Sequence, residues 1–303
     1  MQLTLIVAAL GVAALFTVVT HGPPPPRFRP ATLGDQPAGA VVLAKEDGKL
    51  AVGVAAVPRH GRLLMVATVF GPSGSGAEGL RTSFTITTSG GQRLSAAARP
   101  CTAGCYQAAF ATAALPRRVS VTFNGGPQVG FTFPRNGPSA SGLALVRAAA
   151  ADYQQIRTLV THESLGSSPT QVVHTTYYAI APDKLRFVVR GQDESIIIGN
   201  RRWDRLRGGH WTTSGQTPIK PIAPYWAPKV QDATILGSAT VDGHSTWKVS
   251  FADPQTPGFF TIWVDKSDKR TRELEMTAAA HFMHHAYGPF NARLNIAPPH
   301  PVG

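Results

Sequence analysis

The chain has 303 residues, 43% of them hydrophobic and only 15% charged, with 30 glycines and 25 prolines. That length suits two ordinary domains, and the turn-rich, weakly charged composition excludes a disordered chain and argues against a helical bundle. The 29 basic residues outnumber 17 acidic ones, yet they are spread without a basic helical stripe, zinc-finger spacing or aromatic RNA-binding signature. Nucleic acid is therefore not the expected partner, and a membrane surface is the easier one.

Leu3 to Thr20 is an uncharged apolar run. As a helix it spans about 27 Å at ~1.5 Å per residue, close to the ~30 Å hydrocarbon core, which predicts a membrane helix over 1–22. A cleaved signal peptide is the alternative, but the run lacks a basic start and a small-residue cleavage site. Pro23 to Pro26 opens a stiff linker over 23–37. Arg27 and Arg29 follow the helix and favour a cytoplasmic bulk, whereas the cysteines argue the other way. Cys101 and Cys105 are the only cysteines, and Thr102-Ala103-Gly104 between them allows a tight disulfide loop. A metal-binding pair would more often have two intervening residues and a second pair elsewhere. A disulfide implies an oxidising compartment, so the expected placement is a single-pass cell-membrane protein with its bulk outside the cytoplasm.

From 38 to 135 short strands alternate with turns. Leu63–Phe70 ends at Gly71-Pro72, Thr82–Thr88 ends at Ser89-Gly90-Gly91, and Val119–Phe123 turns through Asn124-Gly125-Gly126 into Val129–Phe133. About seven strands in a hundred residues predict an immunoglobulin-like β-sandwich. Residues 136–142 read as a linker. Leu143 to Thr158 predicts the one soluble helix, with Leu145, Ala148, Ala149, Tyr153 and Ile156 on its apolar face. Strands return over Val172–Ile180, Leu185–Val189, Ser195–Ile198, Ser245–Phe251 and Phe259–Val264, so the second domain runs over 143–303. All five tryptophans (Trp203, Trp211, Trp226, Trp247, Trp263) fall in it. They either fill a core or line a cavity for a lipid or other hydrophobic ligand.

Three stretches resemble known families. The terminal helix and prolines, Val12 to Pro26, resemble the last membrane helix of the copper resistance D (CopD) family. Leu50–Pro58 together with Pro100–Tyr106 resembles the extracytoplasmic domain fused to that family in high-GC Gram-positive bacteria. Tyr177–Arg186, Ile198–Trp203 and Trp263–Asp265 are similar to LolA-like and LppX-like lipoprotein carriers. The last resemblance implies a half-open β-barrel roofed by a helix and holding acyl chains. Only one membrane helix is present, so transport by this chain alone is not implied, although a polytopic copper transport protein is an implied partner. No lipobox cysteine stands near the start.

Catalytic signatures are absent. Gly74-Ser75-Gly76-Ala77-Glu78-Gly79 matches a dinucleotide pattern but lies between strands, with no helix N-terminus to hold a pyrophosphate. The densest basic run, Asn200–Arg207, can meet lipid headgroups or form a solvated hairpin. In the C-terminal region, reading Leu274 to His285 as one strand places Leu274, Met276, Ala278, Ala280 and Phe282 on a packed face. His281, Met283 and His285 then project from the other, with Tyr287 nearby and His284 in the packed phase. Imidazole and thioether are donors that copper prefers, and a solvated face is the alternative. The leading expectation is thus a non-enzymatic copper-handling protein with a possible copper cofactor. The alternative is a lipid or acyl-chain carrier, and a partner-binding surface protein is a third reading.

Overall fold

The computed structural model describes residues 39–126, 128–134, 141–226, 230 and 232–300. The expected membrane helix (1–22), the proline linker (23–37) and most of the second linker lie outside them. Among the described residues no helix is long and apolar enough to cross a membrane.

The first half contains β1 (Val41–Asp47), β2 (Leu50–Arg59), β3 (Arg62–Phe70), β4 (Thr82–Thr88), β5 (Arg93–Ala97), β6 (Arg99–Thr102), β7 (Cys105–Phe110), β8 (Pro116–Phe123) and β9 (Gln128–Thr132). They form a five-stranded sheet, β1-β2-β3-β7-β6, facing a four-stranded one, β5-β4-β8-β9. The alternation in the sequence does the work. Leu63, Met65, Ala67 and Val69 of β3 and Phe84 and Ile86 of β4 meet Val119, Val121, Phe131 and Phe133 in one buried core.

Cys101 and Cys105 form the expected disulfide. Its turn packs on the loop that carries the glycine-rich motif: Val69 donates its N–H to the Gly104 carbonyl at 2.8 Å, and a Cβ on Gly76 would lie 2.4 Å from the Ala103 backbone. The motif is therefore a loop shaped by close backbone approach. Because the bridge closes only five residues, replacing both cysteines with serine is expected to destabilise the sandwich by about 2 kcal/mol. Thermal unfolding with and without a reductant measures this. A loss near zero would mean that backbone contacts alone hold the turn.

The second half starts with α1 (Leu143–Asp152) and a 3-10 turn (Tyr153–Gln155). The helix is shorter than expected, because Ile156 is already extended and the next strand begins at Thr158. Its buried face is Val146 and Ala149, followed by Tyr153 and Ile156, with Leu145 half-buried against the same cluster; Ala148 is half-buried and does not join it. The helix starts against the sheet, where a Cβ on Gly142 would meet Val249 at 2.6 Å.

The strands that follow are β10 (Thr158–Ser168), β11 (Gln171–Ile180), β12 (Lys184–Val189), β13 (Asp193–Ile198), β14 (Arg201–Leu206) and β15 (Thr212–Gly215). After an irregular stretch come β16 (Thr234–Val241), β17 (His244–Asp253), β18 (Gly258–Asp265), β19 (Thr271–Ala278) and β20 (His281–Phe290). They form one open antiparallel sheet in the order β15-β14-β13-β12-β11-β10-β20-β19-β18-β17-β16. Residues as distant in that order as Leu185 on β12 and Phe251 on β17 join a single apolar cluster with α1. The sheet must therefore wrap around the helix.

The two halves share an apolar seam. β2 is buried along most of its length because its second face, through Ala51, Ala55 and Val57, packs with Phe70 against Ala252, Phe259 and Phe282 of the large sheet. The Phe259 ring occupies the place of a side chain on Gly53, where a Cβ would stand 2.0 Å from its tip.

Candidate functional site

The inner face of the large sheet is the candidate site. Its floor is apolar: Val249 and Phe251 of β17, Phe260, Ile262 and Val264 of β18, Leu274 and Met276 of β19, and Met283 of β20. Across it lie α1 and the irregular segment between β15 and β16. That segment inserts Ile219 against Phe187, Val189 and Ile197, and Ile222, Tyr225, Trp226 and Val230 against the floor. Trp226 is buried edge-on to Tyr153 (6.0 Å between centroids) and Phe251 (5.8 Å).

Within this apolar interior sits a polar cluster. Glu163 on β10 faces His285 on β20, its cross-strand partner, with His285 Nε2 and Glu163 Oε2 2.6 Å apart and both side chains essentially solvent-free. Tyr177 donates its hydroxyl to the other carboxylate oxygen at 2.9 Å. The His285 ring is flanked by Tyr225 (4.7 Å, edge-on), Tyr287 (5.6 Å) and Tyr177 (6.3 Å, stacked). Burial pushes the phenols of Tyr177, Tyr225 and Tyr287 well above their ordinary range and that of Tyr153 up to about 12, so all four stay neutral. His281, at the end of the same row, has its imidazole pKa lowered chiefly by burial.

The sequence reading of β20 is corrected here. His281, Met283 and His285 do share a face, but it is the packed one. A two-residue turn at Ala279 and Ala280 separates β19 from β20, so Met276 pairs with Met283 and Leu274 with His285. Residues opposite one another in an antiparallel pair lie on the same side, which puts the three residues inward and Phe282 outward against the sandwich. His284, expected in the packed phase, is on the outer face with its side chain 45% exposed and Glu273 4.0 Å away. His285 Nε2 is engaged by Glu163, and among the described residues no three His, Cys, Asp or Glu side chains are grouped to hold a metal ion.

The tryptophans do not line one cavity. Trp226 and Trp247 pack with the interior cluster, whereas Trp263 lies under Lys248 (4.4 Å) and Trp211 under Arg205 (4.7 Å). Trp203 pairs across strands with Ile196 and Thr213. The basic run is partly internally compensated: Arg202 holds Asp204, while Arg205 and Arg186 share Glu194.

Glu163, Tyr153, Tyr177 and Tyr225 escaped the sequence reading as site residues. The available signal was Glu163 itself, a carboxylate in the apolar phase of Leu159 and Leu165. Outside the interior, a groove of 550 Å³ runs between the domains, lined by Glu46, Phe131, Lys248, Glu275, Phe282 and His284 among others.

No family profile matches this chain, and no curated protein matches it. The resemblance of the first half to the CopD family thus finds no support. Among solved structures the chain is similar to LprF from Mycobacterium bovis, with 16% identity and a TM-score of 0.40 over 55% of this chain and 99% of that one. It is also similar to the lipoprotein LppX from Mycobacterium tuberculosis, with 12% identity and a TM-score of 0.41 over 51% and 97%. A LolA superfamily protein from Nitrosomonas europaea matches with 10% identity and a TM-score of 0.26 over 52% and 96%.

Proposed function

We propose that the second domain is a non-enzymatic carrier of a lipid or lipoprotein acyl chain, working outside the cytoplasm at a membrane. One observation carries this reading. A wide open sheet wraps an apolar interior whose cover is a ten-residue helix and an irregular segment, not a second sheet. The segment touches the floor through a few separate side chains, so its displacement opens an apolar trough without breaking a ladder of strand hydrogen bonds. The disulfide supports an oxidising compartment. The order β2-β3-β7-β6 against β5-β4-β8-β9 supports an immunoglobulin-like reading of the first domain, with β1 as an added strand.

The test is organic extraction of the full chain, secreted from a bacterial host, with mass spectrometry of the extract. Hydrogen exchange of the delipidated protein with and without laurate follows. The expected result is about one extractable lipid per protein and faster exchange over 216–226 when an acyl chain is bound. A protein that carries no lipid and shows no exchange response to an added acyl chain would sink the reading.

A further inference from the structure

The geometry points to the Glu163–His285–Tyr287 cluster as a headgroup site selecting lipids with an uncharged hydroxyl head over anionic ones. This deepens the carrier reading and rests on it.

The argument begins with charge. Glu163 and His285 form a closed pair inside an apolar interior, an arrangement that is a poor source of stability compared with an apolar filling. Glu163 is the charged group that bears on Tyr177, Tyr225, Tyr287 and His281 alike, and its counter-group is His285. A carboxylate or phosphate entering here would bring a second negative charge next to Glu163, whose counter-group His285 is already engaged.

The hydrogen-bonding capacity left over points the same way. With Nε2 committed to Glu163, His285 Nδ1 is buried and has no protein partner. The hydroxyls of Tyr287 and Tyr153 interact with each other without meeting hydrogen-bond geometry. A hydroxyl group both donates and accepts. It can therefore serve Nδ1 in either protonation state and take a hydrogen bond from Tyr287.

The covering segment shows what the cluster tolerates. Its hydrophobic side chains packed on the interior include Ile222, Tyr225 and Trp226, and the Tyr225 ring stands edge-on to His285 at 4.7 Å. At His285 the segment thus presents the uncharged hydroxyl-bearing ring of Tyr225 beside apolar neighbours, which is the chemistry of the ligand that would displace it.

The experiment titrates the delipidated full chain with dodecan-1-ol, 1-monolauroylglycerol and laurate at pH 8, each below its aggregation concentration, following tryptophan fluorescence and calorimetry. The two hydroxylated probes are expected to bind at least tenfold more tightly than laurate. Tyr287→Phe and His285→Gln are each expected to reduce that preference at least threefold while changing laurate affinity less than twofold. Tyr287→Phe removes only one hydroxyl, so it keeps the test decisive if the histidine variant fails to fold. Laurate binding as well as the alcohols, or a preference unchanged in Tyr287→Phe, overturns the headgroup assignment and leaves the carrier reading intact. Failure of all three probes to bind overturns both.

Discussion

Replacing Glu163 with alanine is expected to destabilise the second domain by about 3–5 kcal/mol, because it leaves a fully buried histidine and a tyrosine hydroxyl without their common partner. The position cannot relax toward water, since both side chains of the pair are essentially solvent-free. Glu163→Gln removes the charge and keeps an acceptor oxygen for one of Tyr177 and His285, with an NH2 donor facing the other, so its loss should be smaller, about 1–3 kcal/mol. Urea unfolding followed by tryptophan fluorescence reads this domain selectively, as all five tryptophans belong to it. A loss below about 1 kcal/mol for Glu163→Ala would show that water reaches the pair in the folded protein.

The second large effect concerns the seam between the domains. Phe259→Ala is expected to cost about 3–5 kcal/mol, the usual range for emptying a buried aromatic site. Gly53→Ala should cost about 1–3 kcal/mol by driving a methyl group into the same ring. The two changes share one space, so the double variant should fall well short of the sum. Thermal unfolding of the four proteins of this cycle measures the coupling. Strict additivity would mean that the ring and the glycine do not meet in solution. Because Phe70, Ala252 and Phe282 surround the same contact, a positive result also establishes that the two domains meet at this seam in solution.

The carrier and headgroup readings depend on what the interior exchanges for its own covering segment. Trp226 and Tyr225 supply the closed state with aromatic contacts to Tyr153, Phe251 and His285. A ligand must replace those contacts to hold the segment open. Acyl chains supply apolar area, and a hydroxyl head supplies the partner that His285 Nδ1 lacks.

Much of the fold was legible in the residues alone. The Thr82–Thr88 strand, the turn at Asn124-Gly125-Gly126, the single helix near 143 and the cysteine pair follow from alternation, turn chemistry and spacing, all of which act over a few residues. The basic run and the tryptophans were visible too, but their roles were not. Whether Arg205 is free or shared with Glu194, or whether a tryptophan faces inward, depends on the strand beside it.

What the tertiary structure decided is the direction in which those elements face. Period-two alternation sorts side chains into two sets without saying which set is buried. Two alanines at 279 and 280, ordinary strand residues by composition, form the turn that reverses the chain. Read straight through, they sent His281, Met283 and His285 to solvent; read as a hairpin, they place Met283 and His285 in the core with His281 at its edge. The pairing of Glu163 with His285, 122 residues apart, and the seating of Phe259 on Gly53 are likewise set by which strands become neighbours. No local pattern encodes that choice, because it is made by the burial of whole faces at once.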